Sequence, residues 1–200
     1  MHKQLLVDYI PFEISAQKIH ESLNKNNGKL IVKGILQRAG AQNQNGRIYP
    51  REILQREATQ YTDTQIKERR ALGELDHPDS SVVNLQNASH NITEMHWDGD
   101  DLLGTVEVLG TPSGNILKEL FKSGIKLGIS SRGLGSVKEI HEDDAVEVQD
   151  DFELIAFDFV SNPSTHGAFM YPMNEGVDRS KQTQKWSGVD SIINDIMRGD

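Results

Sequence analysis

At 200 residues, with 36% hydrophobic and 26% charged side chains, the chain suits one compact domain, or one domain with a short appendage. A formal net charge of −9 offers no basic face for phosphates, which excludes a nucleic-acid coat and leaves basic or neutral proteins as the expected partners. The absence of cysteine removes disulfides, cysteine zinc sites and thiol nucleophiles. With no run of ~18 apolar residues, no membrane-spanning helix is expected, and no signal-peptide core follows Met1, so a cytosolic location is expected.

In chain order, Leu5–Tyr9 reads as a strand, and Ser15 as the cap of a helix with Ile19 and Leu23 on one face. Asn26-Asn27-Gly28 breaks the chain before a strand over Lys29–Gln37. Asn43-Gln44-Asn45-Gly46 marks a turn, and Pro50 opens a helix carrying Ile53, Leu54 and Glu57. Ser89–Trp97 and Leu102–Leu109 form a hairpin around Asp98-Gly99-Asp100-Asp101. Thr111-Pro112-Ser113-Gly114 opens a helix with Ile116, Leu117, Leu120 and Phe121, which Gly124 closes.

Two further strands, Lys126–Glu139 and Ala145–Val160, flank the acidic turn Glu142-Asp143-Asp144. The order of elements is mixed, not a regular βαβ repeat. It predicts an α+β domain built on a mostly antiparallel sheet or small β-barrel wrapped by helices. The domain should occupy residues 1–175. A polar linker follows over 176–186 and a short amphipathic helix over 187–200, with Val189, Ile192, Ile193 and Ile196 on one face. That helix either docks on its own domain or binds a partner.

Three segments hold residues suited to chemistry: Gly73-Glu74-Leu75-Asp76-His77-Pro78, Gly128-Ile129-Ser130-Ser131-Arg132-Gly133, and Phe157-Asp158-Phe159-Val160-Ser161-Asn162-Pro163-Ser164. A hydroxyl nucleophile needs a neighbouring base, and imidazole serves with an unperturbed pKa of ~6.5. A third polar group usually fixes the imidazole's tautomer. His77 precedes a proline, which restricts it to extended backbone. The glycines near Ser130 let a substrate backbone approach closely. A second enzyme reading, a metal-dependent hydrolase, would use His90, Glu94 and His96 on one strand face with Asp76 and His77 beside them.

Together, Gly73–Pro78 and the later Gly128-Ile129-Ser130-Ser131-Arg132-Gly133-Leu134-Gly135-Ser136 resemble the prohead core protein proteases of large tailed phages. So do Asn45-Gly46-Arg47-Ile48-Tyr49-Pro50-Arg51-Glu52-Ile53-Leu54 and Trp97-Asp98-Gly99-Asp100-Asp101-Leu102-Leu103-Gly104, and the resemblance runs from Lys29 to Pro163. It implies a herpesvirus assemblin-like fold and a serine endopeptidase needing no cofactor. Its substrates would be scaffold and capsid proteins and the chain itself, cut in the host cytoplasm inside the assembling prohead, and self-association is expected. The same resemblance makes His77 the base and one serine of the Ser-Ser-Arg-Gly motif the nucleophile. Strand parity groups Ser131 with Leu127 and Ile129 toward the core and leaves Ser130 facing a cleft, which favours Ser130. Ser131 stays open because Ser131-Arg132-Gly133 resembles the Ser-x-Gly pattern of more distant relatives. Assemblins place a second His on the following strand. Phe152–Val160 has none; Asp158 on that strand, in the matching Asp-x-Val-x-x-Pro run, is the candidate to orient His77, against the alternative of an ordinary structural Asp before a turn, with His141 and His90 remoter.

Backbone amides near Arg132 and Gly133 are the candidate oxyanion donors, and a neutral-to-alkaline optimum is expected of a His base. Cleavage after Glu in relatives makes Glu21, Glu68 and Glu142 candidate self-processing positions. A noncatalytic scaffold protein that keeps the fold is the reading from another class.

Overall fold

The computed structural model describes residues 3–12, 16–76, 78, 80–140, 145–161 and 171–172. The linker and helix expected over 176–186 and 187–200 lie outside them. Strand β1 (Gln4–Phe12) precedes helix α1 (Ala16–Lys25), in which Ile19 is sealed in the core and Leu23 packs beside it. Asn27 and Gly28, with φ of 52° and 84°, end that helix in the left-handed region. Strand β2 (Leu30–Arg38) alternates buried and half-buried residues along most of its length, the period-two pattern of a strand with one core face.

At the next turn the Asn43 side chain accepts from the amides of Asn45 and Arg47, each at 3.0 Å. Strand β3 (Arg47–Ile48) then runs through Pro50 into helix α2 (Arg51–Tyr61), continued by a π-helical turn over Thr62–Ile66. Strand β4 (Leu72–Glu74) joins the hairpin of β5 (Ala88–Asp98) and β6 (Asp101–Val108), whose tip holds Gly99 at φ 58°. Helix α3 (Pro112–Lys122) is capped by Thr111, whose hydroxyl accepts from the Gly114 amide at 3.1 Å. Leu117 and Phe121 seal it to the core, whereas Ile116 is 54% exposed.

The two long strands expected next are four: β7 (Leu127–Gly135), β8 (Val137–Ile140), β9 (Ala145–Val148) and β10 (Glu153–Val160). Ser136 makes the break. Its amide and hydroxyl both donate to the Asp151 carboxylate at 2.9 Å, and its carbonyl accepts from Gln149. The outer half of the hairpin therefore leaves the β7 ladder for another sheet. With β11 (Tyr171–Pro172), the strands form sheets of order β1-β7-β10, β11-β2-β6-β5-β4 and β3-β9-β8. All pairs are antiparallel except β3 with β9.

The domain is α+β, as expected, but these pairings among the described residues do not close a barrel. A single parallel bridge, Leu75 to Phe159, links the first sheet to the second. One apolar cluster, including Val32, Ile92, Val106, Phe121, Ile129, Phe157 and Phe159, fills the space between those sheets. A smaller one gathers Leu6, Tyr49, Leu54, Val148 and Phe152. Removing this surface from water is the main force holding the sheets together.

Candidate active site

Strand β7 is the middle strand of its sheet, and eight of its nine residues are buried. Its even-numbered residues lie on one face and its odd-numbered ones on the other. The odd face is the core face, since Ile129 joins the apolar cluster beside Phe157 and Phe159. Ser131 lies there too, opposite Phe157, and its hydroxyl accepts from Gln37 Nε2 at 2.8 Å. Ser130 stands opposite Asp158 on β10, so those two side chains share the even face. The Ser130 hydroxyl donates to the Asp8 carbonyl at 2.8 Å.

Strand parity thus divides the serines as expected. The open cleft does not follow: Ser130 is 0% and Ser131 2% exposed. Gly133 and Gly135 of this motif leave room for packing. A Cβ on Gly133 would come within 2.4 Å of the Phe152 ring, and Gly135 abuts the same residue.

Asp158 is held by more than its strand. Its carboxylate accepts from the Glu74 amide at 2.9 Å and meets the Arg132 guanidinium at 2.9 and 3.2 Å. Arg132 also reaches the Glu74 carboxylate at 3.1 Å and the Ser80 carbonyl at 2.6 Å, while Glu74 accepts from the Asn84 amide at 2.9 Å. All three charged side chains are fully buried, which is tolerable only because they are paired. Two carboxylates against one guanidinium leave this cluster one negative charge in excess. Gly73 makes the approach of β4 feasible, since a Cβ there would lie 1.9 Å from the Phe157 carbonyl oxygen.

His77 lies outside the described residues. The backbone just before it is pinned to β10: the Asp76 amide donates to the Phe159 carbonyl at 2.8 Å, next to the Leu75–Phe159 bridge. Asp76 itself takes φ 70°, a left-handed conformation that costs a non-glycine residue about 1–2 kcal/mol. The Glu-Leu-Asp stretch is thereby turned alongside the strand that carries Asp158.

The remaining candidates separate. His141 lies outside the described residues. His90 is a core residue with both ring nitrogens engaged, Nδ1 with the Ser89 hydroxyl at 2.8 Å and Nε2 with the Phe157 carbonyl at 2.9 Å. A carbonyl only accepts, so Nε2 carries the proton and Nδ1 accepts from Ser89. Burial pushes its pKa down to about 4, against Asp158 and the Phe157 carbonyl, which pull it up. Its proposed metal partners Glu94 and His96 are exposed beyond a bulge in the β5–β6 register, with Glu94 near Lys33. The metal set is therefore not assembled, and among the described residues no group of three His, Asp or Glu side chains is placed to hold an ion.

Sequence reasoning missed Glu74 and Arg132 as partners of Asp158. Both lie inside the motifs it singled out, and opposite charges at buried motif positions were the available signal. It also missed Asp8. Of the self-processing positions, Glu21 lies within α1, Glu142 lies outside the described residues, and Glu68 is exposed beyond the π-helical turn.

Ser130 and Asp158 thus share one face of adjacent strands, with the backbone up to Asp76 pinned to the strand that carries Asp158, on an α+β domain. A family profile described as prohead core protein serine protease matches residues 6–181, and the chain belongs to that family. It is 34% identical over 146 residues to the prohead core protein protease of Enterobacteria phage T4, covering 72% of this chain and 68% of that protein. Its fold is similar to the solved structure of the bacteriophage T4 capsid assembly protease, gp21. That match has a TM-score of 0.70 and 26% identity, and spans 82% of this chain and all of the other.

Proposed function

We propose that this chain is a serine endopeptidase that cleaves scaffold and capsid proteins during prohead maturation. Ser130 is the nucleophile, His77 the base, and Asp158 the group that orients the imidazole. The carrying observation is the cross-strand pairing of Ser130 with Asp158 on one face, beside the backbone that leads into His77.

In this reading His77 takes the Ser130 proton as Oγ attacks the scissile carbonyl, then delivers it to the departing amine. Water hydrolyses the resulting acyl-enzyme by the same route. The excess negative charge of the Asp158–Arg132–Glu74 cluster favours the imidazolium that forms on the way, and the fixed guanidinium keeps Asp158 from turning aside. The β7–β10 register is irregular between Leu154 and Ala156, opposite Gly133 and Arg132. Such a break next to a reacting strand supports those amides as oxyanion donors, each worth roughly 3–4 kcal/mol. An assemblin-like architecture, a site within the assembling prohead and self-association belong to the same reading. It is supported by the family and by helices packed on mainly antiparallel sheets.

Incubating the purified chain with its scaffold protein and reading intact masses tests the assignment. Ser130→Ala should abolish cleavage with an unchanged circular dichroism spectrum, while Ser131→Ala retains it. Cleavage surviving in Ser130→Ala but lost in Ser131→Ala would move the nucleophile to Ser131. Cleavage surviving in both would take the chemistry away from this serine pair, and no cleavage by the wild type would leave a noncatalytic scaffold role for this chain.

A further inference from the structure

We propose that Asn45, Arg47 and Tyr49 line the pocket that reads the substrate residue just before the scissile bond, and that this pocket is sized for aspartate rather than glutamate. The inference rests on the chain being an endopeptidase with Ser130 as its nucleophile. Asp8 shows how an acidic residue sits there. Its carbonyl oxygen accepts from Ser130 Oγ at 2.8 Å, so the hydroxyl lies against the carbonyl of the same residue whose side chain enters the pocket. The backbone around it is an antiparallel strand on β7, with Asp8 opposite Ser131 and Tyr9 opposite Ser130. That is the extended form in which a polypeptide adds to a strand, its main chain held by hydrogen bonds and its side chains sorted by pockets.

The pocket is made of donors. The Asp8 carboxylate, fully buried, accepts from Asn45 Nδ2 at 2.8 Å, from Arg47 Nη1 at 3.0 Å and from the Tyr49 hydroxyl. Arg47 pairs with no other carboxylate among the described residues. Burial first, and then Asp8, push the pKa of Tyr49 well above its ordinary value against the pull of Arg47, so the hydroxyl keeps the proton it donates. A carboxylate answers this set with charge-assisted bonds, about twice as strong as neutral ones, whereas an amide of the same shape would turn its own donors on them. The same Asn45 and Arg47 groups hold the Val7 carbonyl at 2.8 and 2.9 Å, so the backbone one residue earlier is read with the side chain.

These donors stand on rigid supports, which fix the depth of the pocket. The Asn43 side chain pins the amides of Asn45 and Arg47, and Arg47 is paired with Val146 in the β3–β9 ladder. The Tyr49 ring is buried and packs edge-on against Phe152, with centroids 5.3 Å apart. A glutamate, one methylene longer, would carry its carboxylate about 1.5 Å further, into a Tyr49 hydroxyl that already touches the aspartate.

The full-length chain tests this on quenched-fluorescence peptides of the Gln4–Phe12 sequence, with Asp, Glu, Asn or Ala at the position of Asp8. Product masses should place the cut after that position. Wild-type kcat/KM should be about tenfold higher for the Asp peptide than for the Glu peptide, and at least about tenfold higher than for the Asn peptide. A Glu peptide cleaved as fast as the Asp one overturns the fit to aspartate, and an Asn or Ala peptide cleaved as fast overturns the pocket altogether. Arg47→Ala should bring the Asp-to-Asn ratio close to one, and Tyr49→Phe should narrow the gap between Asp and Glu. Each ratio is taken within one variant, so a loss of folded protein does not move it, and unchanged ratios overturn the assignment of those residues. A wild type that cuts none of the peptides sinks the endopeptidase reading and the pocket with it. Ser130→Ala cutting them with the wild-type preferences would sink Ser130 as the nucleophile.

Discussion

His90 offers a measurement that separates fold from catalysis. Its ring is wholly buried between Ser89 and the Phe157 carbonyl, packed at the edge of Phe159 with ring centroids 4.6 Å apart. Burial lowers its pKa from 6.5 to about 4. The unfolded chain therefore binds a proton between those values that the folded chain refuses. The stability this contributes is complete above pH 6.5, falls as pH drops, and levels off below pH 4. At 1.36 kcal/mol per unit, the wild type should lose about 3 kcal/mol over that range through this group alone. Urea unfolding of wild type and His90→Gln from pH 7.5 to 4 isolates it, because the carboxylate background is common to both. The two stability curves should converge by about 3 kcal/mol on acidification, and parallel curves would refute the buried-neutral assignment. Activity should fail differently. If His77 is the base, cleavage declines on the acid side of neutrality while the fold is intact, whereas loss through His90 tracks the circular dichroism. Full cleavage activity persisting well below pH 5 would overturn a histidine base.

Further substitutions probe the packing around the site. Arg132→Met leaves Glu74 and Asp158 buried without their cation and should cost about 3–5 kcal/mol in urea unfolding. Adding Asp158→Asn should restore part of that loss, and strict additivity would deny the coupling. The Tyr61 hydroxyl is buried with no hydrogen-bond partner among the described residues, and burial raises its pKa, as does nearby Asp158. Tyr61→Phe should therefore leave stability within about 1 kcal/mol or improve it, and a larger loss would reveal a partner. Gly73→Ala drives a methyl into the Phe157 carbonyl and the His90 ring and should cost about 1–3 kcal/mol or more. Gly110→Ala, with nothing within 4 Å, should be near neutral, both read by urea unfolding.

Much of the local structure was legible because local chemistry dictates it. Asn27-Gly28, Gly99 and Gly124 end elements where a left-handed residue is needed, and Thr111 caps α3 as its hydroxyl allows. Period-two patterning also sorted Ser130 from Ser131, since alternation on a strand is intrinsic to its backbone. The break at Ser136 was not legible, because it depends on an Asp151 carboxylate brought back by a hairpin. Nor was the split between His90 and its supposed partners Glu94 and His96, which follows from a bulge that only pairing with β6 creates.

The histidine and serine motifs, their order and their kinship with prohead proteases were in the sequence by itself, because residue type and spacing are properties of the chain. Which groups surround them was decided by tertiary structure alone. Asp158 meets Arg132 and Glu74 across 26 and 84 positions of sequence, and Asp8 crosses 122 to reach Ser130. Contacts at such separations arise only when sheets close over a core, and that closure both assembles the charged cluster and places β1 on the serine.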